Sequence, residues 1–336
     1  MRRAGAVAVG GLVLLAACSE SPTPTQPNDS SVPVQVTDRL DAPPVAVMRP
    51  GNDIALGPEH EGAQTGATKA AAGSSGIIYH NGPILPTPKA AAIYWSASVI
   101  YTDGPTPGTS GAGPDGSLIG QFMSNLGASP YWGINNTYTN SSGGRVAKSL
   151  GFIGYWATGS TPPAKPTDAN MQALLNQGFS TGALVWDPQA IYAIFTGPGV
   201  NLGGGFGTQY CAYHYWYTAP ATAGAAAGKV VKYAAMPRNA DFPSGCMAQT
   251  NGPNGDPAAD AEVNTLGHEL EEAATDPEGT AWYDRLGNEN ADKCAWKFGT
   301  TQTAANGTQW NILVGGKQYL VQQNWKNVAG GGCFLQ

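Results

Sequence analysis

The chain is short of charge. Only 12% of its residues are Asp, Glu, Lys or Arg, and no basic run occurs. With 17 Lys and Arg against 23 Asp and Glu, the formal charge is −6. The electrostatic footprint of a nucleic-acid-binding surface is therefore missing. Histidine is scarce, four in 336 residues, so each one is worth weighing as a ligand or proton carrier. Cysteine numbers five, and no two of them stand at the spacing of a Cys-based zinc site. No G-x-S-x-G stretch or other nucleophile signature occurs. The one long apolar run, near the start, is too short to span a bilayer as a finished helix.

That run organises the N-terminus. "MRR" is a short basic region, and "AGAVAVGGLVLLAAC" is apolar and ends in small residues. Together they read as a secretory signal peptide. Its end, "LAAC", resembles a bacterial lipobox. The resemblance implies lipidation of Cys18 and a mature chain held at the outer membrane or cell surface, with a plain extracellular protein as the alternative. Residues 19–75 are polar and rich in Pro, Ser and Ala without a sustained period, which reads as a tether. Residues 76–336 are long enough for one large domain. The domain is rich in Gly, Trp and Tyr, a composition shared by β-rich cores and by proteins that meet wall polymers.

Four cysteines remain in the domain: Cys211, Cys246, Cys294 and Cys333. An even number in an exported chain suggests two disulfides. Three pairings are open. The nearest-neighbour one, Cys211 with Cys246 and Cys294 with Cys333, closes loops of moderate length and is the expectation.

Apolar runs bounded by Pro and Gly read as strands: "GIIYH", "AAAIYWSASVIY", "AIYAIFTGPGV", "KVVKYAAMP", "TQWNILVGG" and "KQYLVQQNW". Helical spacing appears in "DGSLIGQFMSNLG" from Asp115, stopped by Gly127, and in "DANMQALLNQGF" from Asp168. Strands and helices mix without a steady βαβ alternation, so the expected class is α+β, a single large mixed domain.

The stretch with most chemistry is "DPAADAEVNTLGHELEEAATDP". Asp256 suits an N-cap and Pro257 the first helical position. The helix should stop near Asp276, because a residue before proline is pushed out of the α region. At 100° per residue, Val263, Leu266, Leu270 and Ala273 form an apolar stripe. His268 and Glu272 lie opposite, and Glu269 sits between the faces. The polar side is either plain solvated surface or the wall of a cleft. On the second reading, His268 and Glu272, at i and i+4, meet one cation. Glu269 projects to the side as general base. This is the logic of H-E-x-x-H with Glu272 in place of the second His, and it predicts a zincin-like surround.

A third ligand is required. Asp276 is one candidate, although a straight helix carries it about 12 Å from position 268. Glu289, in "AWYDRLGNENADKCAW", is the other and the preferred one, and its downstream position resembles the third ligand of gluzincin metallopeptidases. Asp292 suits an orienting partner of His268. A histidine ligand favours zinc over calcium, whose sites are built almost wholly of oxygen. His214 in "YCAYHYWY" reads as a packed histidine or, with Tyr283, as an oxyanion stabiliser. His80 reads as a strand-end residue, and His60 falls in the tether.

Taken in order, "YHNGPILPTPKAAAIYWS", "IYAIFTGPGV", "YCAYH", "KVVKYAAMP", "ADKC" and "GGKQYLVQQNW…GGC" resemble the landmarks of the Exordium, or phosphate-induced protein 1, family. The likeness runs from about residue 76 to the C-terminus. It implies an exported cell-wall or apoplastic type of protein and carries no established biochemical activity. The plant members lack the His-Glu pair, so H-E-x-x-E marks a bacterial branch. Two functions are thus expected. One is a lipoprotein with a zinc-dependent hydrolase domain acting on peptide bonds. The other is a non-enzymatic surface protein that binds wall polymer.

Overall fold

The computed structural model describes residues 76–285 and 287–336. The expected signal peptide, Cys18, and the tether with His60 lie outside them. No helix among the described residues is long and apolar enough to cross a membrane.

The domain is built on one six-stranded sheet. Short β1 (Ile78–Tyr79) precedes β2 (Lys89–Trp95), β3 (Ser110–Gly111) and helix α1 (Leu118–Leu126). Then come β4 (Gly151–Ala157), α2 (Asp168–Thr181), β5 (Ala190–Thr196), β6 (Tyr213–Thr218) and β7 (Val230–Met236). The short α3 (Pro243–Cys246) and the long α4 (Pro257–Thr275) follow, with β8 (Trp282–Tyr283) paired back to β1. The chain closes in three hairpins: β9 (Gln302–Thr303) with β10 (Gln309–Trp310), β11 (Ile312–Val314) with β12 (Lys317–Tyr319), and β13 (Asn324–Lys326) with β14 (Gly332–Phe334).

Strand order in the sheet is β3-β4-β2-β5-β7-β6. The four central strands run parallel, and β3 and β6 close the edges antiparallel. Strands and helices are mixed as the sequence suggests. What its patterning did not show is that α1 and α2 are crossovers, between β2 and β4 and between β4 and β5. Parallel strands need such connections, and they are buried on both faces, which explains the unbroken apolar runs.

Alternation along the strands divides the core in two. Ala90, Ala92, Tyr94, Ile191, Ala193, Phe195, Ala234 and Met236 pack with α1 and α4. Ala91, Ile93, Tyr192, Ile194, Tyr233 and Ala235 pack with Met171, Leu174, Leu175 and Phe179 of α2 on the other face. Gly127 does end α1, but at φ −61°, so left-handed backbone is not the reason for glycine there. A Cβ at that position would come within 2.0 Å of the Leu150 backbone nitrogen. Glycine is required for close approach.

Helix α4 begins as its caps dictate. Asp256 accepts from the backbone N–H groups of Ala258 (3.2 Å) and Ala259 (3.1 Å), and Pro257 occupies the first turn. The expected stripe of Val263, Leu266, Leu270 and Ala273 is fully buried. The opposite face is covered too. The C-terminal segment crosses it, with Gln322 N donating to Asn264 Oδ1 at 2.7 Å. Asn239 N, from the turn after β7, donates to Glu262 at 3.0 Å.

The two disulfides join Cys211 to Cys246 and Cys294 to Cys333. Replacing Cys294 and Cys333 together by Ser is expected to cost about 4 kcal/mol, the chain-entropy value for a loop of this size. Denaturant titration measures it, and peptide mapping without reduction checks the pairing.

Candidate metal centre

Three parts of the fold deliver the chemistry. Helix α4 supplies His268, Glu269 and Glu272 on successive sides of one turn. Strand β6 supplies His214. Its cross-strand partner is Ala234, a residue packed on the α4 side of the sheet. Residues opposite each other in a ladder share a face, so the His214 side chain is turned toward α4. The segment after β8 supplies Glu289 and Asp292, just before Cys294.

The side chains form two sets that share Glu272. In the first, His268 Nε2 lies 3.2 Å from Glu272 Oε1 and 3.8 Å from Asp292 Oδ1. In the second, His214 Nδ1 lies 3.3 Å from Glu269 Oε2 and 3.8 Å from Glu272 Oε2. Each set offers three ligand atoms within 4.8 Å of one another. Glu289 Oε2 stands 3.8 Å from the other ring nitrogen of His214.

Local hydrogen bonds hold these positions. Asp292 N donates to Glu272 Oε1 at 3.0 Å, and Glu289 N donates to Asp292 Oδ2 at 3.1 Å. The disulfide at Cys294 and the bond from Trp325 N to Asn290 O (3.0 Å) fasten the segment from either side. Gln322 Nε2 lies 3.0 Å from His268 Nδ1 and donates to Ala291 O at 2.8 Å, fixing the imidazole plane.

The cluster is acidic and mostly buried, with the Asp292 side chain 14% exposed. His268, Glu269, Glu272 and Asp276 have no exposed surface, and His214 and Glu289 are 8% exposed. Among the described residues no Lys or Arg pairs with these carboxylates; Lys293 is bound to Asp284 at 3.0 Å. Burial, and then the negative charge of Asp292 and Glu269, pushes the Glu272 carboxyl well above its usual range. Glu289 is raised in the same way, by burial and then by Glu272. Burial lifts Asp292 to about 7 even though His268 pulls it down. Several polar atoms have no hydrogen-bond partner: His268 Nε2, Glu269 Oε1, Glu272 Oε2, Asp276 Oδ2 and Glu289 Oε1.

Of the residues singled out from sequence, His214, His268, Glu269, Glu272 and Glu289 are brought together. Asp276 stands beside them, its Oδ2 buried without a partner and its charge acting on Glu289, and it also shapes the backbone. Its Oδ1 accepts from Thr280 N at 2.6 Å and Ala281 N at 2.7 Å, closing the turn after α4. Tyr283 stacks on His80 with ring centroids 3.7 Å apart, and no hydrogen bond or ion pair among the described residues joins it to the carboxylates. Asp292 faces Nε2 of His268, and Gln322 takes the orienting position at Nδ1. Glu289 stands beside His214. Sequence reasoning passed over Gln322, for which the motif carries no signal. It also underweighted His214, which strand alternation through "YHYWYT" would have placed.

Comparison with known proteins gives two matches. A sequence model of the phosphate-induced protein 1 conserved region matches residues 124–330. Protein EXORDIUM-like 5 of Arabidopsis thaliana is 23% identical over 297 residues, covering 77% of this chain and 78% of that protein. No solved structure matches the chain significantly.

Asp276→Ala leaves two backbone N–H groups without their acceptor and should cost about 2 kcal/mol or more. It should leave cation binding in place, which denaturation and elemental analysis check together. The acidic cluster also sets a pH response. Burial raises Glu262 from 4.5 to about 8 and Asp292 from 3.8 to about 7. The native state then keeps protons that the unfolded chain has released. Stability is full below the unfolded values and is lost as pH climbs through the folded ones. The cation-free protein should therefore weaken from about pH 5 to about pH 8, and Glu262→Gln should flatten part of that slope. Melting curves across this range are the measurement.

Proposed function

The chain belongs to the phosphate-induced protein 1, or Exordium, family, and from that premise we propose that it is a cell-envelope protein whose α4 face binds a divalent cation and hydrolyses peptide bonds. Zinc is the favoured ion. The two disulfides fit an oxidising compartment. Lipidation at Cys18 would anchor it to the membrane, as "LAAC" suggests.

One observation carries the metal reading. His268 Nε2, Glu272 Oε1 and Asp292 Oδ1 converge at 3.2 and 3.8 Å, yet His268 Nε2 makes no hydrogen bond. Ligands 2.0–2.1 Å from a tetrahedral ion stand roughly 3.3 Å from one another. The spacing thus suits a shared ion better than a hydrogen-bonded pair. Asp292 takes the third place that the sequence reading assigned to Glu289 or Asp276.

Ligation through Nε2 puts the ring proton on Nδ1. Gln322 Nε2 faces Nδ1 at 3.0 Å while donating to Ala291 O at 2.8 Å, so ligation through Nε2 would require that amide to move and give up its bond to Ala291.

A bound cation would supply Lewis acidity and lower the pKa of coordinated water. Glu269, next in sequence to His268, has Oε1 without a partner and is the group to accept a proton from the attacking water. His214, against Glu269, holds that carboxylate in place.

The depth of the cluster favours a second reading, in which the cation is structural and the protein binds wall polymer without catalysis. Elemental analysis and a peptidase assay separate the two. On the catalytic reading His268→Ala and Asp292→Ala lose the cation. Glu269→Gln keeps the cation at His268 and the fold, and loses activity by about a hundredfold or more. On the structural reading His268→Ala destabilises the fold and Glu269→Gln is silent. Wild-type protein prepared without chelators and free of metal would refute the metal in both readings and leave a wall-binding protein without one.

A further inference from the structure

Glu272 has two carboxylate oxygens, and they face different histidines. Oε1 lies 3.2 Å from His268 Nε2, while Oε2 lies 3.8 Å from His214 Nδ1. On the His214 side, Glu269 Oε2 stands 3.3 Å from the same nitrogen, at hydrogen-bond distance, a bond that ligation of both atoms would replace. Neither Glu272 Oε2 nor Glu269 Oε1 has a hydrogen-bond partner, and both side chains are fully buried.

We infer that the centre holds two divalent cations side by side, the second bound by His214 Nδ1, Glu269 Oε2 and Glu272 Oε2, with Glu272 bridging the pair. The inference rests on the cation reading above and extends it.

Three observations support the second position. First, the donors are of the right kind and spacing. One imidazole nitrogen and two carboxylate oxygens lie within 4.8 Å of one another, a set suited to zinc or another transition ion. Second, His214 has the outer partner that a ligating histidine usually has. Its Nε2 faces Glu289 Oε2 at 3.8 Å, longer than a hydrogen bond, so a carboxylate stands near the ring on the side away from the ion. This gives Glu289 a role that no direct contact with His268 supplies. Third, the carboxylates crowd. Glu269, Glu272, Asp276, Glu289 and Asp292 come together where no Lys or Arg pairs with them among the described residues. Buried carboxylates without a cationic partner are costly, and a second divalent ion offsets more of that charge than one.

The arrangement leaves the role of Glu269 intact. Monodentate ligation through Oε2 frees Oε1, the oxygen without a partner, to accept a proton. Two ions bridged by Glu272 would supply the paired Lewis acidity of two-metal hydrolytic centres.

The test is a stoichiometry. The full chain is stripped with a chelator, dialysed, and titrated with zinc alone, with calorimetry and elemental analysis as readouts. Two equivalents per chain are expected in the wild type. His214→Ala should bind one, and His214→Ala with His268→Ala none. Should His214→Ala fail to fold by circular dichroism, His214→Gln, which keeps most of the volume, replaces it. One equivalent in the wild type that His214→Ala retains overturns the second position and leaves the first reading standing. Two equivalents that persist in His214→Ala overturn it as well, because the second ion then lies elsewhere. No binding at all overturns both readings.

Discussion

The constraint on which the structure turns is the burial of carboxylates along α4. Glu262, Glu269, Glu271 and Glu272 occupy the interior of a helix whose every side is covered. An ionised carboxylate without a partner is expensive to bury, and neighbouring carboxylates make each other worse. Helix α4 cannot be stabilised by its apolar stripe alone. Its polar face has to be answered by other parts of the chain, and these have been recruited from both directions: Asn239 after β7, His214 on the edge strand β6, and the Glu289–Asp292 segment with Gln322 downstream. The antiparallel turn of β6 at the sheet edge matters for this reason. It presents a histidine to the helix at a point where a parallel strand would have ended in a crossover.

The C-terminal third of the domain is then best understood as the lid of α4. Its hairpins are short, two or three residues per strand, and such hairpins have little independent stability. They are held by side chains rather than by their own ladders. Asn311 Nδ2 donates to Phe298 O and Val321 O at 2.8 and 2.6 Å, and Asn254 Nδ2 to Gln318 O at 2.7 Å. The match to the phosphate-induced protein 1 region, residues 124–330, takes in α4 and the hairpins up to β13.

Much of this was legible in the residues, and the failures have physical causes. The start and stop of α4 followed from Asp256, Pro257 and the proline after Asp276, because capping and steric exclusion are local. The disulfide pairing followed from separation along the chain. Strand β4 was missed because "GFIGYWA" carries two glycines, and β6 because it follows a glycine-rich run and is aromatic on both faces. Whether the polar side of α4 met water or protein was undecidable from periodicity, since a helix with one apolar stripe reads as amphipathic either way. The choice among Asp276, Glu289 and Asp292 was equally out of reach. It depends on how the turn at Pro277 and the disulfide at Cys294 fold the chain back, a non-local matter.

The Cys294–Cys333 bond has a consequence for the timing of assembly. Cys294 stands two residues beyond Asp292, and its partner lies on the last hairpin. Until that bond forms, no cross-link ties the acidic segment to the last hairpin, which is then held by non-covalent contacts. Oxidation adds a cross-link between the segment that carries Asp292 and the last hairpin, so a reduced chain can build its sheet and α4 while its C-terminal end is held less firmly.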